Sequence, residues 1–282
     1  MTPRAVVTAG TGGIGLETAL GLARTGYAVT VVGRNAERGA HAVDKINQTG
    51  EKAQFLQADL GSLDQVRTLA DRITADGDLD LLVNNVGGMY PDRTELDGLE
   101  ATFVINHLSP YLLTELLLPT ITRRIVNVTS GAVTIAKKTF DHVEPPGPYY
   151  GFHWYGRAKL ANLTYTLDLA HRLRDNGITV LAADPGGADT DMTGGFTSHP
   201  RTLTPALRPF LPLITLVTKP ATHAARSTLR AATDATLDTG TLIGRNVRPV
   251  TPPKAATRNT HAVRLLSQRH APLRHVPDDV SN

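Results

Sequence analysis

The chain has 282 residues, 29 Lys and Arg against 26 Asp and Glu, 10 His and no Cys, for a formal net charge of +3. Hydrophobic residues at 41% and charged residues at 20% describe a globular chain rather than a disordered one. The missing cysteines exclude disulfides, thiolate zinc sites and a cysteine nucleophile.

The first strand is expected at residues 4–8. It opens with only three apolar residues, Ala5-Val6-Val7, where a secretory leader needs an apolar core of about 7–15. Further strands are expected at 28–32, 53–57, 79–83, 125–129, 178–182 and 241–243. The first six runs are nearly unbroken apolar stretches, as strands buried on both faces of a parallel sheet require. Helical patterns alternate with them at 14–25, 36–49, 63–75, 96–118, 154–176 and 220–233. This alternation predicts a Rossmann-type α/β fold, a doubly wound parallel sheet with helices on both faces, as a single domain over residues 1–245. Gly26, Gly50, Gly77 and Gly177 stand where helices should stop, as left-handed caps. Residues at about 187–219 are rich in Thr, Pro and Gly, yet carry Phe196, Leu203, Leu207, Phe210, Leu211, Leu213 and Ile214. That mixture reads as a lid over a site. Its apolar run at 209–217 holds two prolines and is far short of the ~20 residues that span a bilayer. From 239 to 277 there is no acid, while Arg245, Arg248, Lys254, Arg258, Arg264, Arg269 and Arg274 fall there. Residues 246–282 therefore read as a solvated, basic Pro- and Arg-rich tail that packs on its own or a sister subunit. Lacking interleaved aromatics and a reader motif, the tail is not expected to bind nucleic acid. A soluble, cytoplasmic protein with no membrane span is expected.

Thr8-Ala9-Gly10-Thr11-Gly12-Gly13-Ile14-Gly15 joins the first strand to the first helix. Gly10, Gly12 and Gly15 satisfy the G-x-G-x-x-G spacing, in which glycines let the backbone approach a pyrophosphate seated on the helix N-terminus. Glycine-rich turns also arise for steric reasons alone, and the placement between strand one and helix one is what favours a dinucleotide. Strand two ends in Val32-Gly33-Arg34-Asn35. No acid stands there to accept from adenosine ribose hydroxyls, and Arg34 suits a 2′-phosphate, so NADP(H) is expected over NAD. A plain surface arginine is the alternative. Tyr155 and Lys159 lie four apart and share one helix face. With seven Tyr and seven Lys in the chain, such a pair also occurs by chance.

Taken in order, the glycine turn, Asn84-Asn85-Val86-Gly87, the helical Asn106, Ser130 after the fifth strand, Tyr155-x-x-x-Lys159 and Pro185-Gly186 resemble the short-chain dehydrogenase/reductase family over residues 4–245. The long interval from Ser130 to Tyr155, with Arg124-Ile125-Val126-Asn127-Val128-Thr129 before it, is similar to the retinol-dehydrogenase-like branch. Departures are Ala9 for the family's Gly, Val86 for Ala, Ala158 for Ser, and Gly187-Ala188-Asp189-Thr190 for the usual Val-x-Thr; none removes a catalytic group. The resemblance implies that Tyr155 exchanges the proton with the substrate oxygen and that Ser130 hydrogen-bonds it. It also implies that Lys159 favours the phenolate and holds the nicotinamide ribose. Asn106 holds a relay water, or else is an amide tying two elements together. Implied cofactor contacts are Gly10, Thr11, Gly12, Gly13, Ile14, Gly15, Arg34, Asn35, Asp59, Leu60, Asn85, Val86, Gly87, Tyr155, Lys159, Pro185, Gly186 and Thr190. Asp59 reads equally as an adenine contact or a helix cap. Of the adjacent hydroxyls Thr129 and Ser130, strand alternation lets one face the site, and the resemblance picks Ser130. Tyr149 and Tyr150 are expected as pocket wall and His107 as a packed histidine. No His-x-x-x-His pair exists, so no metal is expected.

The expected function is an NADPH-dependent ketoreductase, or in reverse a secondary-alcohol dehydrogenase. The apolar lid points to a bulky apolar or aromatic substrate. Alternatives are a redox-neutral reaction on the same residues, such as epimerisation or dehydration, and a catalytically silent NADP-binding scaffold or sensor. The resemblance also implies a homodimer or homotetramer joined through helices 96–118 and 154–176.

Overall fold

A computed structural model describes residues 2–50, 52–144, 147–187 and 219–273. Strand β1 (Arg4–Thr8) leads to helix α1 (Gly13–Arg24), β2 (Ala28–Gly33) to α2 (Ala36–Asn47), and β3 (Ala53–Gln57) to α3 (Leu63–Ala75). Strand β4 (Leu79–Asn84) is followed by a small hairpin, β5 (Glu95–Leu96) and β6 (Leu99–Glu100). One nearly continuous helical rod comes next: α4 (Ala101–Phe103), a π-helical turn (Val104–Leu108) and α5 (Ser109–Leu117). After it come β7 (Ile121–Val128), a 3-10 turn (Gly131–Ile135), the long helix α6 (Gly151–Arg172) and β8 (Thr179–Ala183). The described chain ends with α7 (Ala221–Thr233), β9 (Leu242–Ile243), β10 (Pro249–Val250), α8 (Lys254–Arg258) and α9 (Thr260–His270).

Eight strands form one sheet in the order β10-β9-β8-β7-β4-β1-β2-β3, and only the β9–β10 pair is antiparallel. The chain reverses its winding between β1 and β4, which opens a crevice beyond the carboxyl ends of those strands. Alternate side chains of each strand enter opposite cores. Val6, Leu82, Ile125 and Val180 pack under α3, α5 and α6, while Val7, Leu81, Val126 and Leu181 pack under α1, α2 and α7. Burial on both faces explains why these strands are legible as apolar runs. The helix-stopping glycines behave as expected, with φ of 90° at Gly26, 97° at Gly50, 91° at Gly77 and 74° at Gly177.

Two expectations need correction. The helix expected over 96–118 starts at Ala101, because Asp97 and Gly98 turn the chain at φ 49° and 70° and pair β5 with β6. Asp-Gly is a strong hairpin signal, but Leu96 and Leu99 also fit a helical face. The Glu100 carboxylate then caps the helix, accepting from the backbone N–H of Thr102 and Phe103 at 2.8 Å each.

The C-terminal stretch is no solvated tail as far as residue 273. The hairpin β9–β10 straddles position 245, and α8 and α9 pack on α6. Val263, Leu266 and Ala271 join the core, and His107 Nε2 meets Ser267 Oγ at 2.7 Å. Arg264 pairs with Asp168, and Arg67 donates to the Pro272 carbonyl at 2.5 Å. As a result α6 is buried along almost its whole length within its own chain.

Candidate active site

The crevice at the carboxyl ends of the strands is a cavity of about 1300 Å³. Thr11, Gly12, Gly13, Ile14, Gly15, Arg34, Asn35, Asp59, Leu60, Asn85, Val86, Gly87, Ser130, Tyr155, Lys159, Pro185 and Gly186 all line it. Gly10 and Asn106 do not reach the cavity wall, and Thr190, with lid positions 188–218, falls outside the described residues.

At one end lies the β1–α1 turn. Gly15 is needed for close approach: a Cβ there would stand 2.2 Å from the Ala9 carbonyl oxygen. Gly10 sits beneath the turn on Val31. Ala9, the family's glycine, holds φ 50°, a left-handed conformation that L-residues adopt at a cost of about 1–2 kcal/mol. Asn85 secures the turn, its side-chain N–H₂ donating to the Thr8 and Ala9 carbonyls at 3.1 and 3.4 Å. The Thr8 hydroxyl in turn accepts from the N–H groups of Asn85 and Val86 at 2.9 and 3.0 Å.

Beside this turn Arg34 is joined by Arg38, whose guanidinium would stand 2.6 Å from a Cβ on Gly12. The sequence reading missed Arg38, although its i+4 spacing from Arg34 was a usable signal. Asn35 also caps α2, its side-chain oxygen accepting from Arg38 N at 2.8 Å. Asp59 is not the cap of α3, which is Ser62. Its carboxylate accepts from Gly61 N at 2.9 Å and borders the cavity. Tyr90, also missed, adds its ring to this wall in the field of Arg34 and Asp59, with burial the larger influence pushing its phenol up.

At the other end stand the reacting groups. The Ser130 hydroxyl lies beside the Tyr155 phenol, close enough to influence its protonation, and accepts from Ala132 N at 3.2 Å. The neighbouring Thr129 turns away and reaches the Lys159 carbonyl at 3.5 Å, as strand alternation requires. Burial pushes the Tyr155 phenol up to about 12, with the Ser130 hydroxyl lowering it and the charge of Asp184 raising it. Lys159 is buried, its ammonium donating to the Val128 and Val86 carbonyls at 2.9 and 3.4 Å. Desolvation draws it down to about 7. The ammonium lies 6.0 Å from the Tyr155 ring centroid. The protein by itself therefore holds Tyr155 as the neutral phenol, the proton-donor form, where the sequence reading stressed the phenolate.

Asn106 lies behind this group in the π-helical turn. Its side-chain N–H₂ donates to the Gly88 and Thr102 carbonyls at 2.6 and 2.7 Å, and its oxygen accepts from Gly88 N at 3.2 Å. It ties the helix to the 84–88 loop, matching the tie weighed beside the relay role. Tyr149 and Tyr150 do not line the described cavity; Tyr149 instead donates to the Tyr90 carbonyl at 2.9 Å. His107 is fully buried and held near 3 by desolvation and the charge of Arg157. No cluster able to hold a metal ion occurs among the described residues.

A sheet wound in this order, with a glycine turn at its switch point, defines a Rossmann-type α/β protein. The sequence matches the family model described as short chain dehydrogenase over residues 3–201. It is 37% identical over 196 residues to retinol dehydrogenase 12 of Mus musculus, covering 67% of this chain and 62% of that protein. To polyprenol dehydrogenase of Homo sapiens it is 34% identical over 202 residues, covering 67% and 61%. The chain thus spans about three fifths of the length of these relatives. An uncharacterized protein from Mycobacterium Paratuberculosis superposes at TM-score 0.75 and 29% identity over 95% of this chain and 92% of that one. A short chain dehydrogenase from Burkholderia cenocepacia in complex with NADP superposes at 0.68 and 28%, over 86% and 96%. The chain belongs to the short-chain dehydrogenase/reductase family, within its retinol-dehydrogenase-like branch.

Proposed function

We propose that the protein is an NADPH-dependent ketoreductase, running in reverse as a secondary-alcohol dehydrogenase. The observation that carries this is one continuous cavity with Ser130, Tyr155 and Lys159 at one end and Arg34 and Arg38 beside the glycine turn at the other. The donor set fits a phosphorylated dinucleotide. Backbone N–H groups at the start of α1 point to a pyrophosphate, and the two guanidinium groups suit a 2′-phosphate. Asp59 and Leu60 would border the adenine, Val86 and Gly87 the adenosine, Lys159 the nicotinamide ribose, and Pro185, Gly186 and Thr190 the carboxamide. When bound, NADPH supplies the hydride.

Reduction builds negative charge on the carbonyl oxygen, which must be stabilised and then protonated. Ser130 donates a hydrogen bond to that oxygen and fixes its position. Tyr155 delivers the proton, and its burial as a neutral phenol suits a donor. Lys159, drawn down to about 7 by burial, would donate to the nicotinamide ribose hydroxyls. Asn106 acts by holding the 84–88 loop against the helix.

The described wall around Tyr155 includes Ala132, Phe152 and Val250, which supports a bulky apolar ketone. The names of retinol dehydrogenase 12 and polyprenol dehydrogenase point the same way. Among the described residues no helix is long and apolar enough to cross a membrane, and a cytoplasmic location belongs to this same reading. A thermal-shift titration with NADPH and NADH side by side is the test. A shift of several degrees with NADPH alone, followed by ketone-dependent NADPH consumption that Tyr155→Phe abolishes, is the expected result. Turnover without net NADPH consumption would favour a redox-neutral reaction, and nucleotide binding with no turnover a scaffold.

A further inference from the structure

Asp184 ends β8 just ahead of the Pro185-Gly186 turn and belongs to none of the motifs that mark the site. Its carboxyl group borders the cavity. One oxygen accepts from Gly186 N at 2.9 Å, and the backbone N–H of Gly131 lies near enough to favour the charged form of the group. Gly131 directly follows Ser130, and a Cβ there would lie 3.6 Å from the second carboxylate oxygen. The two loops leave adjacent parallel strands, Val128 of β7 pairing with Ala183 of β8. A single carboxylate therefore sits between the loop carrying Ser130 and the loop carrying Pro185 and Gly186.

Burial pushes the Asp184 carboxyl up, while the backbone N–H groups of Gly186 and Gly131 and the charge of Arg245 favour its charged form. Facing it are Tyr155 from α6, the Ser130 loop after β7, and Arg245 after β9, which lies against Gly186. Lys159, also on α6, spends its ammonium on the Val86 and Val128 carbonyls. A negative charge at Asp184 opposes the Tyr155 phenolate and so keeps a proton there to be donated. The same charge flanks the turn expected at the nicotinamide end, where reduction of a ketone leaves a cationic ring.

We propose that Asp184 is a positioning residue that biases the site toward reduction, lying between the Ser130 and Pro185-Gly186 loops and placing a negative charge between the proton donor and the nicotinamide end. The inference rests on the proposed NADPH-dependent reading. In the step concerned, the carbonyl carbon accepts a hydride from NADPH, which is oxidised to NADP⁺. The carbonyl oxygen takes the Tyr155 proton to give the alcohol, and Tyr155 regains a proton from solvent.

Two measurements test it. Calorimetric titration gives the ratio of NADP⁺ to NADPH dissociation constants. Asp184→Asn keeps the shape and one acceptor but removes the charge, and should raise that ratio at least roughly tenfold, as expected for unit charges up to about 12 Å apart at an effective protein dielectric of about 20. Arg245→Gln, an exposed change that removes the opposing cation, should move the ratio the other way and serves if Asp184→Asn does not fold. The second readout needs no nucleotide: ultraviolet titration of tyrosinate, taken as a difference against Tyr155→Phe in each background, should place Tyr155 at lower pH in Asp184→Asn. An unchanged ratio in both variants, with Tyr155 titrating as before, overturns the assignment while leaving the reductase reading intact. Failure of the wild type to bind either nucleotide overturns both.

Discussion

Arg157 lies between Tyr155 and Lys159 on α6 but faces away from the cavity, and it is among the largest fully buried side chains. Its three guanidinium nitrogens donate to the carbonyls of Thr139, Val143 and His142 at 3.0, 2.7 and 2.5 Å. Its flat faces rest 5.0 Å from the ring centroids of Phe103 and Phe140. The loop it grips runs from Ser130 toward Tyr155. Arg157→Met keeps most of the volume and strands three carbonyls, each costing about 1–3 kcal/mol if it stays dry. Two ring contacts of roughly 0.5–1 kcal/mol each also go. Against this, burial holds the guanidinium down at about 10, and its removal returns about 3 kcal/mol of desolvation. The net loss is about 1–8 kcal/mol, or at least roughly 2–4 °C in Tm for a chain of this size. Arg157→Lys should recover little, since an ammonium cannot fork across three carbonyls. Thermal and urea unfolding measure the loss, and NADPH binding, followed in parallel, should persist because the cradle lies on the other side of α6. A melting point for Arg157→Met within about two degrees of wild type would refute the clamp.

Replacing Arg34 and Arg38 together by Gln should weaken NADPH binding by about 10- to 100-fold and leave NADH binding nearly unchanged, as read by calorimetry. His107, held near 3 against an unfolded value of 6.5, stays neutral in the folded chain while the unfolded chain takes up a proton. Its contribution is therefore complete above about pH 6.5 and is lost as pH falls toward 3, to an extent of order 4 kcal/mol. Urea unfolding from pH 7 to 4 should show this slope, and His107→Gln should flatten it. Because α8 and α9 cover α6 from within the chain, light scattering should give a monomer. Removing residues beyond 252 should produce association or aggregation.

The parallel sheet was legible because each of its central strands is an apolar run bounded by turn glycines, and the site because its motifs occur in one fixed order. What escaped has physical reasons. In the β5–β6 hairpin Leu96 and Leu99 satisfy a helical period as well as a strand, so Asp97-Gly98 was passed over. In α9 only a few apolar side chains, chiefly Val263 and Leu266, sit among basic ones, and its anchors lie far away in sequence. His107 to Ser267 spans 160 residues, and Arg67 to Pro272 spans 205. No local pattern encodes such pairings. Arg38 and Asp184 carry ordinary side chains whose meaning comes only from where the backbone aims them. That only one of Thr129 and Ser130 faces the site, by contrast, followed from strand alternation, and the choice of Ser130 from the family resemblance.

These distant anchors also bear on the order of assembly. The outer face of the helix that presents Tyr155 and Lys159 stays open until residues near 270 have docked, so that helix gains its native surroundings late. Contacts of such long separation close slowly, after local helices have formed. During refolding, helical content should return well before nucleotide affinity does. A half-assembled molecule, with α6 still bare, would be sticky and inactive at once, so recovery of cofactor binding reports that the whole chain has closed.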